Sequence, residues 1–241
     1  MSNGCIKGVG LGPGCQDLMS VRADRLIRGA THIAYFRKKG KKGHARSIVE
    51  GLLSEHVVEL AMEYPVTTEI PFDDPRYNAL LSAFYEQCVA QLVEISAAGH
   101  DVVVLCEGDP FFYGSFMHLY TRLLERVPVD VVPGITGMSA AWTATGAPIT
   151  WGDDVLTVAM ATLPEAQLLD RIRQTDALVV MKIGRHLAKL RRALKAAGRE
   201  NEAWLIEYAA MENQRVVPLV EAGDRVPYFS IVLIHGHGRR P

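Results

Sequence analysis

The sequence predicts an α/β protein built as two α/β domains, spanning 1–134 and 135–241. Short apolar runs alternate with segments of helical spacing through the first half, the pattern of a parallel sheet wrapped by helices. The run from Asp101 to Cys106 is apolar after its first residue, as in a strand buried on both faces. The stretch from Gly134 to Trp151 is rich in Gly, Ala, Thr and Pro and marks a junction between two units.

Taken in order, Ile6 to Leu11 reads as a strand that closes on glycines, and Leu18 to Arg28 follows with helical spacing at Leu18, Val21 and Leu26. His32 to Phe36 reads as a second strand, and Arg37 to Lys42 as a polar loop. Asn78 to Ala98 carries apolar residues at 80, 81, 84, 88, 92 and 95, the stripe of a long amphipathic helix. The buried strand ending at Cys106 leads through a glycine turn, Glu107 to Gly114, into a helix over Ser115 to Arg126 and a strand over Val129 to Val132. Beyond the junction the expected elements are strand Leu156 to Met160, helix Glu165 to Gln174, strand Ala177 to Met181 and helix His186 to Ala197. Ala203 to Glu207 and Tyr228 to Ile234 then read as strands with no long helix between them, so the second unit ends in a more antiparallel fashion.

With 49% hydrophobic and 22% charged residues, the chain can bury a sizeable core and is not expected to be disordered. A net charge of −1 gives no general attraction to nucleic acid or to an anionic membrane, so neither is an expected partner. Cys5, Cys15, Cys88 and Cys106 are scattered without a C-x-x-C pair, which argues against a zinc knuckle or a secreted disulfide framework. Met1 to Lys7 lacks the basic-then-apolar order of a signal peptide, and no uncharged apolar run approaches the roughly 20 residues of a membrane span. The expected setting is the cytoplasm.

Three glycine-bearing strand ends carry the candidate chemistry. The first is Gly8-Val9-Gly10-Leu11-Gly12-Pro13-Gly14. Glycines after a strand let backbone approach a ligand closely, and the following helix offers free N–H groups. A dinucleotide fingerprint fails here, because its third glycine falls on Pro13 or Cys15 and no acid follows the second strand. No P-loop pattern occurs either. The second is Glu107-Gly108-Asp109-Pro110-Phe111-Phe112-Tyr113-Gly114-Ser115. It stands at the carboxyl end of the buried strand, where open α/β sheets place their ligands. Pro110 pushes Asp109 out of helical geometry and leaves its carboxylate exposed on a turn, while Ser115 is placed to cap the next helix. The third is Pro133-Gly134-Ile135-Thr136-Gly137-Met138-Ser139-Ala140-Ala141.

In this order and spacing the three motifs resemble those of the tetrapyrrole (corrin/porphyrin) methylases, and the resemblance runs from Ile6 to Ile234. It implies the class III methyltransferase fold, two α/β domains with the S-adenosyl-L-methionine cleft between them, and a homodimer. Within the family, the segments Glu107 to Phe116, Val179 to Arg185, Gln214 to Val216 and Tyr228 to Ser230 are most similar to the branch that methylates precorrin-2 at C20. A cobalt-containing counterpart, another tetrapyrrole position and a non-catalytic ligand sensor are the alternatives. Two positions depart from the family pattern: Cys15-Gln16-Asp17-Leu18-Met19-Ser20 follows the first motif, and Gly137 stands where serine is frequent.

The resemblance implies that Leu11, Pro13, Gly108, Asp109, Phe112, Thr136 and Gly137 hold the cofactor, with Met181, Lys182, Ala209 and Ile231 beside its adenine. Methyl transfer from a sulfonium is an in-line displacement, so most of the work is positioning and desolvation. The meso carbon of a reduced tetrapyrrole is already nucleophilic, but a proton must leave it afterwards. Asp109 is the expected acceptor, with Tyr113 second. The substrate is rich in carboxylates, and Arg37, Lys38, Lys39 and Arg46, with Lys41 and Lys42, form the one dense basic patch available to them. His235-Gly236-His237 lacks a third ligand, and no metal is expected. Trp142 is read as core.

Overall fold

The computed structural model describes residues 3–66 and 74–239, which leaves Met1 and Ser2 of the opening segment outside. The chain divides into two compact units, Met1–Thr136 and Gly137–Pro241.

The first unit is a five-stranded sheet in the order β3-β2-β4-β1-β5. Its strands are β1 (Ile6–Gly10), β2 (His32–Lys38), β3 (Val58–Tyr64), β4 (Val102–Cys106) and β5 (Val129–Val132), and every neighbouring pair is parallel. The two faces bury different residues of the same strands. Val9, Val103 and Leu105 face one side, against Ala23 and Ile27 of α1 (Val21–Arg28) and Ala45 and Ile48 of α2 (His44–Ile48). Ile6, Val102, Val104 and Cys106 face the other, against α3 (Pro75–Ala97) and α4 (Phe116–Leu123). β4 therefore has no polar face to show, which is why its sequence is apolar throughout.

The connections dictate where a ligand can enter. β1 passes its chain through α1 to β2, crossing beyond β4; β4 passes its chain through α4 to β5, crossing beyond β1. The crossovers leave adjacent strands in opposite directions and run on opposite faces. The gap at the carboxyl ends of β1 and β4 is thus the switch point of the sheet, the position at which such sheets open a crevice.

The second unit is a mixed five-stranded sheet, β6-β7-β10-β8-β9. β6 (Leu156–Met160) and β7 (Ala177–Met181) are parallel, and β8 (Trp204–Glu207), β9 (Arg215–Pro218) and β10 (Ser230–Ile234) add antiparallel pairs. α6 (Glu165–Arg173) and α7 (Leu187–Ala196) cover one face through Leu168, Ile172, Leu190 and Leu194. α5 (Gly137–Ala144) covers the other through Ala141, with Trp142 packed beside it.

Several local expectations change. The first glycine turn leads into a single 3-10 turn at Gln16–Leu18, and α1 starts only at Val21, capped by Ser20 Oγ, which accepts from Ala23 N at 3.1 Å. Arg37 and Lys38 belong to β2 rather than to the loop. The Gly134 to Trp151 junction holds a helix, α5. Ser115 precedes α4 without capping it by its side chain; its hydroxyl instead meets the Tyr64 hydroxyl. α2, β3 and β9 are additional to the elements that the sequence predicts.

Glycine is demanded at specific close approaches. A Cβ on Gly8 would enter the ring of Phe116, which is 1% exposed and seated on the β1 backbone. A Cβ on Gly10 would lie 2.6 Å from Gly134 N, and one on Gly134 would fall on the Gly108 carbonyl oxygen. We expect Gly134→Ala to lose about 1–3 kcal/mol of stability, the scale of overpacking against atoms that cannot yield. A urea melt that matches the parent would refute the close approach.

Candidate active site

The three glycine motifs meet at the switch point. Gly108 N donates to Gly12 O at 2.8 Å and Gly12 N donates to Gly108 O at 3.4 Å, an antiparallel bridge that ties the loop after β1 to the turn after β4. Leu11 N donates to Cys106 O at 2.9 Å and extends the same seam. Gly134, just beyond β5, lies against Gly10 and Gly108. The floor of the crevice is accordingly backbone. Gly12 and Gly108 hold φ values of +78° and +65°, a region that favours glycine.

Asp109 locks this arrangement. Its Oδ1 accepts from Phe111 N at 2.9 Å and its Oδ2 from Gly134 N at 3.0 Å. One oxygen closes its own turn and the other reaches across to the third motif. The sequence expectation of a carboxylate simply exposed on a turn is therefore corrected: the side chain is half-buried and both oxygens accept backbone hydrogen bonds.

Around this floor the expected residues take different places. Leu11 is fully buried in the core, so only its backbone is available to a ligand, and Pro13 is buried beside it. Phe112 is half-buried and meets the Tyr113 ring edge-on at 4.8 Å between centroids. Tyr113 is 46% exposed and has φ +55°, an uncommon backbone for a bulky residue.

In the second unit, three expected residues gather on the sheet face covered by α5. Met181, Ala209 and Ile231 pack together with Met138 and Trp142, and Ile231 is the nearest atom group to the place a Cβ on Gly137 would take, at 3.9 Å. The antiparallel return explains the gathering. β7 and β8 end where β10 begins, so Met181, Ile206 and Ile231 fall in neighbouring registers. Just past the two strand ends, Lys182, Tyr208 and Ala210 hold φ values of +54°, +53° and +58°. Backbone in this region clusters at binding sites, and Tyr208 and Ala210 carry no sequence signal of it.

The basic patch is partly committed within the first unit. Arg37 pairs with Glu63 at 2.7 Å and Arg46 with Glu59 at 2.8 Å, both glutamates on β3, and Lys42 pairs with Glu50. Lys38 and Lys39 are exposed and form no ion pair among the described residues. His235 is held by structure, its ring nitrogens meeting Pro148 O at 2.9 Å and Thr145 Oγ1 at 3.0 Å. No group of three or more His, Cys, Asp or Glu among the described residues could hold a metal ion.

Glu107, at the head of the second motif, is a residue the sequence did not single out. Its Oε1 accepts from Ala45 N in the first turn of α2 at 3.2 Å. The side chain is open to solvent on one side, yet the surrounding protein desolvates the carboxyl and pushes its pKa up to about 7. No cation counters this by pairing with it among the described residues.

The chain matches the model of the tetrapyrrole (corrin/porphyrin) methylases over residues 6–222 and belongs to that family. Among curated relatives, a precorrin-2 C(20)-methyltransferase of Sinorhizobium sp is 48% identical over 239 residues, covering 99% of this chain and 98% of the relative. A cobalt-precorrin-2 C(20)-methyltransferase of Salmonella typhimurium is 28% identical and covers 97% of both chains. In fold, the chain is similar to the crystal structure of a cobalt precorrin-4 methyltransferase, at TM-score 0.72 and 20% identity over 96% of this chain and 94% of the other. It is similar also to the uroporphyrin-III C-methyl transferase of Thermus thermophilus complexed with S-adenosyl homocysteine, at TM-score 0.68 and 22% identity over 96% and 92%.

Two outcomes follow for the acidic residues. Asp109→Asn turns one backbone-accepting oxygen into an amide donor that faces an N–H, so about 1–3 kcal/mol of stability should be lost in a denaturant melt. An unchanged midpoint would remove Asp109 from the lock. For Glu107 the folded pKa lies above the unfolded one, so the fold takes up a proton that the unfolded chain releases. Its contribution is favourable below about pH 4.5 and is lost as pH rises towards 7. Melting temperature against pH should therefore fall less across that window in Glu107→Gln than in the parent, and parallel profiles would contradict the shift.

Proposed function

We propose that this chain transfers a methyl group from S-adenosyl-L-methionine to C20 of precorrin-2, in the route to cobalamin. The observation that carries the reading is the 48% identity to the Sinorhizobium enzyme along nearly the whole of both chains. The cobalt-containing substrate named for the Salmonella relative is the second reading, supported by lower identity over a similar length.

The residues present suit the cofactor. Where Gly10, Gly108 and Gly134 meet, a Cβ on Gly10 or Gly134 would strike neighbouring backbone, so no side chain stands on the floor, which suits the close approach of a small ligand. In this reading Leu11, Pro13, Gly108, Asp109, Phe112, Thr136 and Gly137 hold the ribose and methionine portions, mostly by backbone. Met181, Lys182, Ala209 and Ile231 flank the adenine, for which the packed Met181, Ala209 and Ile231 offer apolar surface. When bound, S-adenosyl-L-methionine supplies an electrophilic methyl on a sulfonium.

The protein's own tasks are orientation, exclusion of water and management of one proton. Asp109 acts as a positioning residue, since both of its oxygens organise backbone. Tyr113, 46% exposed in the second motif, is a further group for the substrate to meet. Arg37, Lys38, Lys39 and Arg46 receive substrate carboxylates, with Lys38 and Lys39, which form no ion pair among the described residues, most available. The reading includes a homodimer working in the cytoplasm. Four cysteines without a disulfide suit a reducing compartment, and no helix among the described residues is long and apolar enough to cross a membrane.

Incubation with methyl-labelled cofactor and a panel of tetrapyrroles tests the reading. One label per precorrin-2, located at C20, is expected. Labelling at another carbon, or none, would overturn it, and preference for the cobalt form would select the second reading.

A further inference from the structure

Two carboxylates stand within the second motif, and their hydrogen bonding separates them. Asp109 has an oxygen on each of two backbone N–H groups, one in its own turn and one beyond β5. Glu107 uses Oε1 on Ala45 N and has no partner for Oε2 among the described residues. Asp109 is thus built into the floor, whereas Glu107 has an oxygen to offer.

Location favours the same residue. Glu107 is the first residue after β4, on the strand that borders the switch point, and it is directly followed by the Gly108 that bridges to Gly12. It is solvent-accessible on one side and fixed at the other by α2, so its free oxygen has a restrained direction. The titratable residues nearest in sequence on the elements that hold it are Cys106, whose burial pushes its thiol pKa up, Asp109 and, on α2, His44, whose burial lowers its pKa.

Chemistry supplies the need. When C20 of a reduced tetrapyrrole takes a methyl, the new C20–CH₃ bond forms as the S–CH₃ bond breaks, and that bond's electron pair remains on sulfur. C20 then still carries its hydrogen, and its C–H bond must release a proton while the pair returns to the macrocycle. A general base serves best when its pKa lies near the working pH.

We propose that Glu107 accepts the proton leaving C20 through its Oε2 oxygen, while its Oε1 oxygen keeps the residue in place on Ala45 N–H. The inference rests on the methyl-transfer reading above. Burial that raises the carboxyl into the neutral range supports it.

Glu107→Gln separates this role from a structural one, because the amide oxygen can still accept from Ala45 N–H but the group cannot take up a proton. The variant should fold and should bind S-adenosyl homocysteine, read by calorimetry, as the parent does. Single-turnover methyl transfer to precorrin-2 should fall by roughly 10²-fold or more. Infrared titration of the unliganded protein should show a carboxyl with a midpoint near 7 in the parent that the variant lacks. A rate within a few fold of the parent, a parallel loss of S-adenosyl homocysteine binding, or no such carboxyl in the parent would each overturn the proposal. If the glutamine variant does not fold, Glu107→Asp, which retains a withdrawn carboxyl, should titrate and transfer slowly; an undiminished rate overturns it. A parent inactive towards precorrin-2 sinks the substrate reading and this inference together, while an active parent with an equally active Glu107→Gln sinks this inference alone.

Discussion

The first unit depends on one contact: backbone on backbone where Gly10, Gly108 and Gly134 meet. β1, β4 and β5 could form a parallel sheet without it, but their ends would then diverge with the sheet's twist. The Gly12–Gly108 bridge continues pairing past the strands, and the Asp109 carboxylate draws in the third loop by accepting from Gly134 N. A charge-assisted bond of this kind is stronger than a neutral one, and here it joins segments 25 residues apart in sequence. The crevice is preformed because its floor is a continuation of the sheet.

The second unit reaches a similar outcome by different means. Its strands reverse direction, so the ends of β7 and β8 lie beside the start of β10. Residues from three distant stretches of sequence come to one edge, and left-handed backbone at Lys182, Tyr208 and Ala210 turns the chain there. Such conformations for residues with a Cβ cost about 1–3 kcal/mol each. Their concentration just past two strand ends is the physical mark of this edge.

Much of this was legible in the sequence, for reasons that differ by element. β4 and β7 are continuous apolar runs that the sequence bounds to within a residue, since burial on both faces leaves no room for polar residues. β3 was not legible. It is an edge strand bearing Glu59 and Glu63, whose charges are met by Arg46 and Arg37 from elsewhere in the fold. β9 ends in Pro218 and pairs on one side only, where a missing N–H is tolerated. The glycine motifs have the pattern of ligand loops, yet Gly8 serves the Phe116 ring. Glu107 gave no signal because nothing in its neighbours along the chain reveals desolvation, a property set by elements distant in sequence.

The seating of Phe116 on Gly8 has a consequence for how related chains can diverge. The segment from Phe111 to Ser115 is an arch pinned at both feet, by the Asp109 turn on one side and by the Phe116 ring on the other. The Phe111 ring packs against the second foot, at 6.3 Å between centroids from Phe116. Phe111 and Tyr113 are each 46% exposed, and their outer sides can change while the Phe111 ring keeps its edge-on contact with Tyr120. Related chains can therefore differ on the outer side of the arch while the backbone beneath it keeps one course, so variation is steered to the surface and away from the sheet.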